Sequence, residues 1–117
     1  MFKEFITFLG TKDLKVTSNF YIDKLGLTLY KDQGECVIFN INKQSKIGFC
    51  KHISIFHSEK SPIITLVTDH VDEEFSKLVK KGVNIIEKPK FNQKFGIYHF
   101  FFKDPNGYTI EIQKFLE

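Results

Sequence analysis

Apolar and polar side chains alternate most clearly near the end of the chain. In the segment 108–113, the two isoleucines fall on one face of an extended chain, whereas Glu111 and Gln113 fall on the other. The turn at 104–107 (Asp-Pro-Asn-Gly) joins this segment to the apolar stretch 98–103 and predicts an antiparallel pair. One face of the pair is therefore predicted to be core, and the other carries a carboxylate.

The whole chain reads as two successive units, each with one strand, one helix and three further strands. Apolar stripes predict the helices, and Gly26 and Gly82 stand at their predicted ends. The predicted N-caps are Thr11 or Asp13 and Asp69 or Asp72. The predicted strands are 2–9, 27–30, 36–41 and 46–52 in the first unit, and 63–68, 83–86, 98–103 and 108–113 in the second.

Landmarks of the two halves fall into one register. Gly26 corresponds to Gly82, the strand 36–41 to 98–103 and the turn 42–45 to 104–107; this correspondence sets Gly48 against Glu111 and predicts an internal duplication. The expected fold class is α+β, with two tandem βαβββ units and a concave mixed sheet. The predicted domain is 1–117, with pseudo-repeats 1–57 and 61–117.

One helix covers only one face of each four-stranded sheet, so the other face is predicted to stay open. A concave apolar wall with a few polar groups is typical of a small-molecule pocket. The residues assigned to this face are Glu4, Ile6, Phe8, Gly48, Cys50, Ile64, Leu66, His99, Phe101, Glu111 and Gln113. The predicted ligand-binding residues are Phe8, Cys50, Leu66, His99, Phe101 and Glu111.

Two segments carry a resemblance to a known family. The segment 95–112 (Phe-Gly-Ile-Tyr-His-Phe-Phe-Phe-Lys-Asp-Pro-Asn-Gly-Tyr-Thr-Ile-Glu-Ile) resembles the C-terminal signature of the vicinal oxygen chelate superfamily. The segment 13–27 is similar to the opening module of the same superfamily, which includes glyoxalase I, extradiol dioxygenases, fosfomycin-modifying enzymes and bleomycin-resistance proteins. The resemblance implies the glyoxalase/bleomycin-resistance-like fold and leaves the function open, because one scaffold hosts many chemistries.

The resemblance also implies where metal ligands would stand. Metal-dependent members of that superfamily take His, Glu or Gln ligands from the first and last strands of each half. The four places fall here on Ile6, Gly48, Pro62 and Glu111. Since a zinc or iron site needs about three protein ligands, no metal and no cofactor are predicted. The alternative left open is a relocated site that combines Glu111 with Glu4, His52 or His99.

Three predicted pocket residues carry their own chemistry. Glu111 is interpreted either as a base or ligand-binding carboxylate, or as a structural residue satisfied by Lys103, Tyr98 or water. His99 is either a base or a packed strand residue. Cys50 has no neighbour in sequence that would lower its pKa and is expected to be an inert apolar residue. No catalytic residue is therefore assigned.

Composition narrows the class of protein. The chain has 117 residues, of which 42% are hydrophobic and 26% charged, as expected for one globular domain. Its net charge of +3 comes with 17 lysines spread along the chain and no arginine, which disfavours nucleic-acid binding. Cys36 and Cys50 match no metal or disulfide framework and no run is long enough for a membrane, so a reducing cytoplasm is predicted. The 14 phenylalanines on open sheets predict a homodimer.

Two classes of function remain at this point. The first is a binding protein that holds a small molecule in a metal-free cavity, as bleomycin-resistance proteins do. The second is a metal-dependent lyase, dioxygenase or thiol transferase of the same superfamily, and whether the chain is an enzyme stays open. The missing ligands favour the first class. Because the protein is basic and its open face has few carboxylates, an apolar or mildly anionic ligand is expected.

Overall fold

The computed structural model describes residues 1–117 and divides into two compact units, Met1–Phe56 and His57–Glu117. The first unit contains β1 (Phe5–Gly10), α1 (Leu14–Asn19, continued by a π-helical turn, Phe20–Lys24), β2 (Thr28–Asp32), β3 (Cys36–Asn40) and β4 (Ser45–Cys50). The second contains β5 (Ile63–Val67), α2 (Val71–Lys80), β6 (Lys90–Asn92), β7 (Ile97–Lys103) and β8 (Thr109–Phe115). No helix is long and apolar enough to cross a membrane.

Each unit forms one mixed sheet with the same topology. The strand orders are β1-β4-β3-β2 and β5-β8-β7-β6. The first and last strands of each unit pair in parallel, and the remaining neighbours pair antiparallel. The predicted α+β class with two βαβββ units is therefore confirmed. The organisation of residues 1–117 as one domain stays a prediction.

The helices cover one face of each sheet, as the periodicity predicts. Tyr21 packs on Phe39 and Phe49, with ring centroids 5.9 and 4.7 Å apart. In the second unit, the rings of Phe75 and Phe100 lie 5.3 Å apart, edge to face. These contacts make the helix-facing side of each sheet its core.

The predicted N-cap is correct for α1 and wrong for α2. Asp13 caps α1, because its Oδ1 accepts a hydrogen bond from Val16 N at 3.0 Å. The predicted cap of α2 is wrong: His70 occupies the cap position, and its own N–H is bonded to Thr68 Oγ1 at 3.1 Å. Asp72 lies in the first turn instead, where a negative charge favours the helix dipole.

The strand predicted at 83–86 is also wrong. The edge strand of the second sheet is Lys90–Asn92, and it pairs with the start of β7. The short turn at 93–96 sets this register, because Phe95 N donates to Asn92 Oδ1 and folds the chain back directly at Asn92. The apolar residues at 83–86 predict a strand, but no neighbouring strand pairs with them in the fold. Ile86 is 92% exposed.

The turn at 104–107 holds β7 and β8 together as its sequence predicts. Asp104 Oδ1 accepts hydrogen bonds from Asn106 N at 2.9 Å and from Tyr108 N at 2.8 Å. Gly107 has φ +89°, which a residue with a side chain adopts only with strain. The turn therefore fixes the register that sets Phe101 opposite Glu111.

Candidate functional site

The polar centre of the second sheet is a chain of three side chains on the face away from α2. Glu111 of β8 accepts a hydrogen bond from His99 Nδ1 at 2.7 Å and another from Thr65 Oγ1 at 2.7 Å. The strand register makes this contact, because β8 lies between β5 and β7. A carboxylate has no hydrogen to donate, so the bond places the imidazole proton on Nδ1.

Both members of the His99–Glu111 pair are buried, with 5% and 7% of their surface exposed. The face is therefore buried at His99 and Glu111, whereas Thr65, Ile63 and Val67 on the neighbouring strand β5 are exposed. His99 Nε2 is buried and has no hydrogen-bond partner. An unsatisfied buried nitrogen costs about 1–3 kcal/mol, which makes it a candidate for contact with a ligand. The neutral ring presents Nε2 as an acceptor, and the protonated ring presents it as a donor.

The structural interpretation of Glu111 predicts a hydrogen bond from Lys103, Tyr98 or water, and the two side chains have other partners. Lys103 Nζ is bonded to Thr109 Oγ1 at 2.8 Å, and the Tyr98 hydroxyl donates to Asp72 at 2.6 Å. Neither therefore supplies the partner of Glu111. His99 and Thr65 supply it instead.

Phe101 connects this polar chain to a cavity. It lies opposite Glu111 in the strand register, and its ring meets the His99 ring edge to face at 5.1 Å. Lys60 Nζ stands 4.2 Å from the centroid of the same ring, within the range of a cation–π contact. Phe101 is therefore both a wall of the cavity and a neighbour of the buried pair.

The cavity has a volume of about 440 Å³ and lies where β6 ends and the edge of β7 has no partner strand. Apolar residues supply much of its wall, and its charged residues are four lysines and one glutamate. The lining residues used below are Lys60, Ile86, Glu87, Lys88, Lys90, Phe101 and Lys103.

Not all of these lysines have the same freedom to meet a ligand. Lys90 is paired with Glu87 at 2.8 Å, and this hydrogen bond, followed by the charge of Lys90, lowers the pKa of the Glu87 carboxyl. Lys103 is held by Thr109 and by the Glu59 carbonyl at 3.3 Å. Lys60 and Lys88 make no ion pair, so they are the cations available to an anionic ligand.

The corresponding face of the first sheet is filled by an aromatic ring. Phe8 lies opposite Gly48 in the parallel register of β1 and β4. A Cβ atom at Gly48 would stand 2.6 Å from the Phe8 ring, far inside van der Waals contact. The place that Glu111 occupies in the second unit is therefore covered by Phe8 in the first.

The residues at the four implied metal positions do not fit a metal ion. Ile6 stands two residues before Phe8, and the parallel register of β5 places Ile63 two residues before Thr65. Ile63 therefore takes the position assigned to Pro62 from the sequence, and neither residue has a donor atom. Glu111 is the one ligand in the set, and its two oxygens are already bonded to His99 and Thr65.

The relocated alternative named three partners for Glu111. His99 is in contact with it, which makes two adjacent donor groups. Glu4 is paired with Lys46 at 3.1 Å, and His52 lies beside Cys36 and Cys50. Two donors fall short of the three protein ligands that a catalytic zinc site uses.

The assignments of Leu66 and Cys50 as ligand-binding residues do not agree with the structure. Leu66 is opposite Ile112, so it belongs to the helix-facing side together with Ile64. Thr65, which sequence analysis missed, occupies the face of Glu111, and a one-residue change of register accounts for the exchange. Cys50 is joined to Cys36 by a disulfide and is not a free side chain. Phe8, like Cys50, belongs to the first unit, whereas His99, Phe101 and Glu111 lie together.

Comparisons with known proteins agree on the fold. The sequence profile of the Glyoxalase/Bleomycin resistance protein/Dioxygenase superfamily matches residues 5–112. A glyoxalase/bleomycin resistance protein/dioxygenase from Nocardioides is similar with a TM-score of 0.82 and 18% identity, over 100% of this chain and 85% of its own. A member of the superfamily from Sphaerobacter thermophilus has a TM-score of 0.79 and 17% identity, over 97% and 98%.

A third similar structure is a lactoylglutathione lyase from Agrobacterium tumefaciens, with a TM-score of 0.73 and 20% identity over 93% of this chain and 90% of its own. At such identities the likeness shows the fold alone. No curated protein matches the sequence.

Proposed function

Because the chain belongs to the glyoxalase/bleomycin resistance protein/dioxygenase superfamily, we propose that it binds a small, largely apolar or mildly anionic molecule without using a metal. The ligand occupies the cavity beside Phe101. The observation that carries this proposal is the composition of the cavity wall, in which four lysines outnumber one glutamate around an apolar surface. Its volume of about 440 Å³ is typical of small-molecule sites.

The charges of the wall favour an anion over a cation. Glu87 is paired with Lys90 and also feels the charge of Lys60, whereas Lys88 makes no ion pair, so the positive charges of the wall exceed the negative one. A cationic ligand would meet these lysines with like charge, which disfavours binding. A carboxylate attached to an apolar body would place its charge near the lysines and its body against Phe101 and Ile86.

The buried pair supports binding in a different way. Glu111 and Thr65 hold the His99 ring in one orientation, and Phe101 packs on that ring. A ligand that displaces Phe101 would gain access to His99 Nε2, the polar atom that has no partner. The pair is thus a preorganised hydrogen-bonding group rather than a metal ligand set.

The metal-dependent lyase, dioxygenase or thiol transferase remains the alternative in the same superfamily. Its chemistry needs a Lewis acid held by several ligands, and Ile6, Gly48 and Ile63 have no donor atoms for that purpose. Stoichiometric metal in untagged protein, lost in Glu111→Ala, would support this alternative and contradict the metal-free proposal.

The proposal is tested by calorimetry with three ligands that share one aryl-alkyl body. We expect the carboxylate to bind more tightly than the neutral amide, and the amide more tightly than the amine. Lys88→Gln should weaken binding of the carboxylate alone, and added salt should do the same. Lys12→Gln, an exposed lysine of the first unit, is the matched control. Equal or tighter binding of the amine would overturn the proposal.

A further inference from the structure

Three metal-binding side chains meet in the first unit, apart from the residues of the cavity. Cys36 of β3 lies directly opposite Cys50 of β4, and the two are joined as a disulfide. His52 follows Cys50 by two residues, just beyond the end of the strand. The two sulfur atoms and an imidazole nitrogen of His52 all lie within 4.8 Å of one another.

This donor set matches the preference of a particular class of cation. Two thiolates and one imidazole bind zinc and similar borderline-soft ions, whereas Mg²⁺ and Ca²⁺ prefer oxygen ligands. With Zn–S near 2.3 Å and Zn–N near 2.0 Å, tetrahedral donors stand roughly 3.5–3.8 Å apart. The three donor atoms already lie within 4.8 Å of one another, and opening the disulfide frees the two sulfur atoms to separate toward that spacing.

We propose that the reduced Cys36 and Cys50 thiolates bind one divalent cation of the zinc type together with His52, and that the disulfide closes this site. The sulfur ligands are buried and rigidly placed by the β3–β4 pair, whereas His52 is exposed. The exposed side leaves a fourth coordination position to solvent. A cation held in this way remains exchangeable and accessible to a small ligand.

The redox step balances with an ordinary thiol reductant. Two reductant thiols transfer two electrons and two protons to the disulfide, which yields the Cys36 and Cys50 thiols and a disulfide of the reductant. Metal binding then releases the two thiol protons to solvent, and neutral His52 donates its lone pair without losing a proton. In a reducing compartment the dithiol is the expected state.

His52 distinguishes this site from a purely structural disulfide. A disulfide that only ties β3 to β4 has no use for an imidazole within 4.8 Å of its sulfur atoms. The proposal therefore requires His52 to contribute to metal affinity, whereas a structural role does not.

The test uses the untagged 117-residue chain, reduced with a phosphine and freed of metal, and titrated with Co²⁺. We expect one equivalent to produce thiolate-to-cobalt charge-transfer absorption that Zn²⁺ abolishes, and no such absorption with the oxidised chain. His52→Asn should lower the Co²⁺ affinity about tenfold or more. His70→Asn, a second exposed histidine, should leave the affinity unchanged.

Three results would overturn the proposal: no charge-transfer absorption in the reduced chain, equal absorption in the oxidised chain, or equal affinity in His52→Asn. Because His52 is exposed, its replacement is expected to preserve the fold. Cys36→Ser should also abolish the two-thiolate spectrum. The decision does not depend on that variant, since the redox comparison and His52→Asn test the same site.

Discussion

At the scale of single residues, Glu111 carries the polar centre of the second sheet. Replacing it by alanine leaves the buried His99 Nδ1 without its partner, so Glu111→Ala should lower the free energy of unfolding by about 1–3 kcal/mol. Urea denaturation of both proteins measures this difference. The control is Glu87→Ala, whose exposed carboxylate pairs with Lys90 and whose loss should cause no measurable change. Equal effects of the two replacements would contradict a structural role for the buried pair.

Gly48 is a second position to test, because the absence of a Cβ atom there leaves room for the Phe8 ring. Gly48→Ala should destabilise the protein, because the new methyl group would collide with the Phe8 ring. In a Phe8→Ala background the same change should cost less, with a coupling energy of about 0.5–3 kcal/mol. A double-mutant cycle by chemical denaturation measures that coupling. An equal cost in both backgrounds would show that Phe8 does not require glycine at position 48.

At the scale of elements, one hydrogen bond ties α2 to β7. The Tyr98 hydroxyl donates to Asp72 Oδ1, and this bond, with smaller contributions from burial and the Asp72 charge, raises the pKa of Tyr98 above 10.0. Because the protonated phenol is favoured by folding, its stabilisation is present below pH 10 and is lost as the pH rises through the pKa in the folded state.

The matching measurement is an NMR titration of Tyr98. Asp72→Ala should lower its pKa toward the ordinary value, because the acceptor is removed. Asp69→Ala removes a carboxylate just before α2 that makes no hydrogen bond to Tyr98, and it should leave the titration unchanged. A Tyr98 titration that Asp72→Ala does not alter would contradict the assignment of the shift.

At the scale of the whole molecule, exposed aromatic side chains predict self-association. Phe5, Phe56, Phe91 and Phe95 are each at least 66% exposed. Apolar surface left in water costs about 25 cal/mol per Å², so burying such rings between two copies is favourable. We expect a homodimer at micromolar concentration by light scattering. A clean monomer under those conditions would contradict this expectation.

Local sequence chemistry by itself determined much of the fold. The Asp104 turn, the helix-ending glycines and the alternation along β8 depend on backbone preferences and on a period of two residues. These features identified Glu111 and His99 as neighbours on one face, as the structure shows. The Cys36–Cys50 disulfide was not predicted from the sequence, and it follows from the β3–β4 register, which sets the two cysteines opposite each other.

The tertiary structure alone decided the contacts between distant strands. β5 reaches β8 across a long crossover, so no local turn fixes their register. The register that the fold adopts sets Leu66 against Ile112 on the helix-facing side and Thr65 against Glu111 on the other side. The same holds for the cavity, whose four lysines come from three separate segments of the sequence and converge where β6 stops short of the end of β7. Sequence periodicity therefore determined which faces exist, and the pairing of strands far apart in the chain determined which side chains share them.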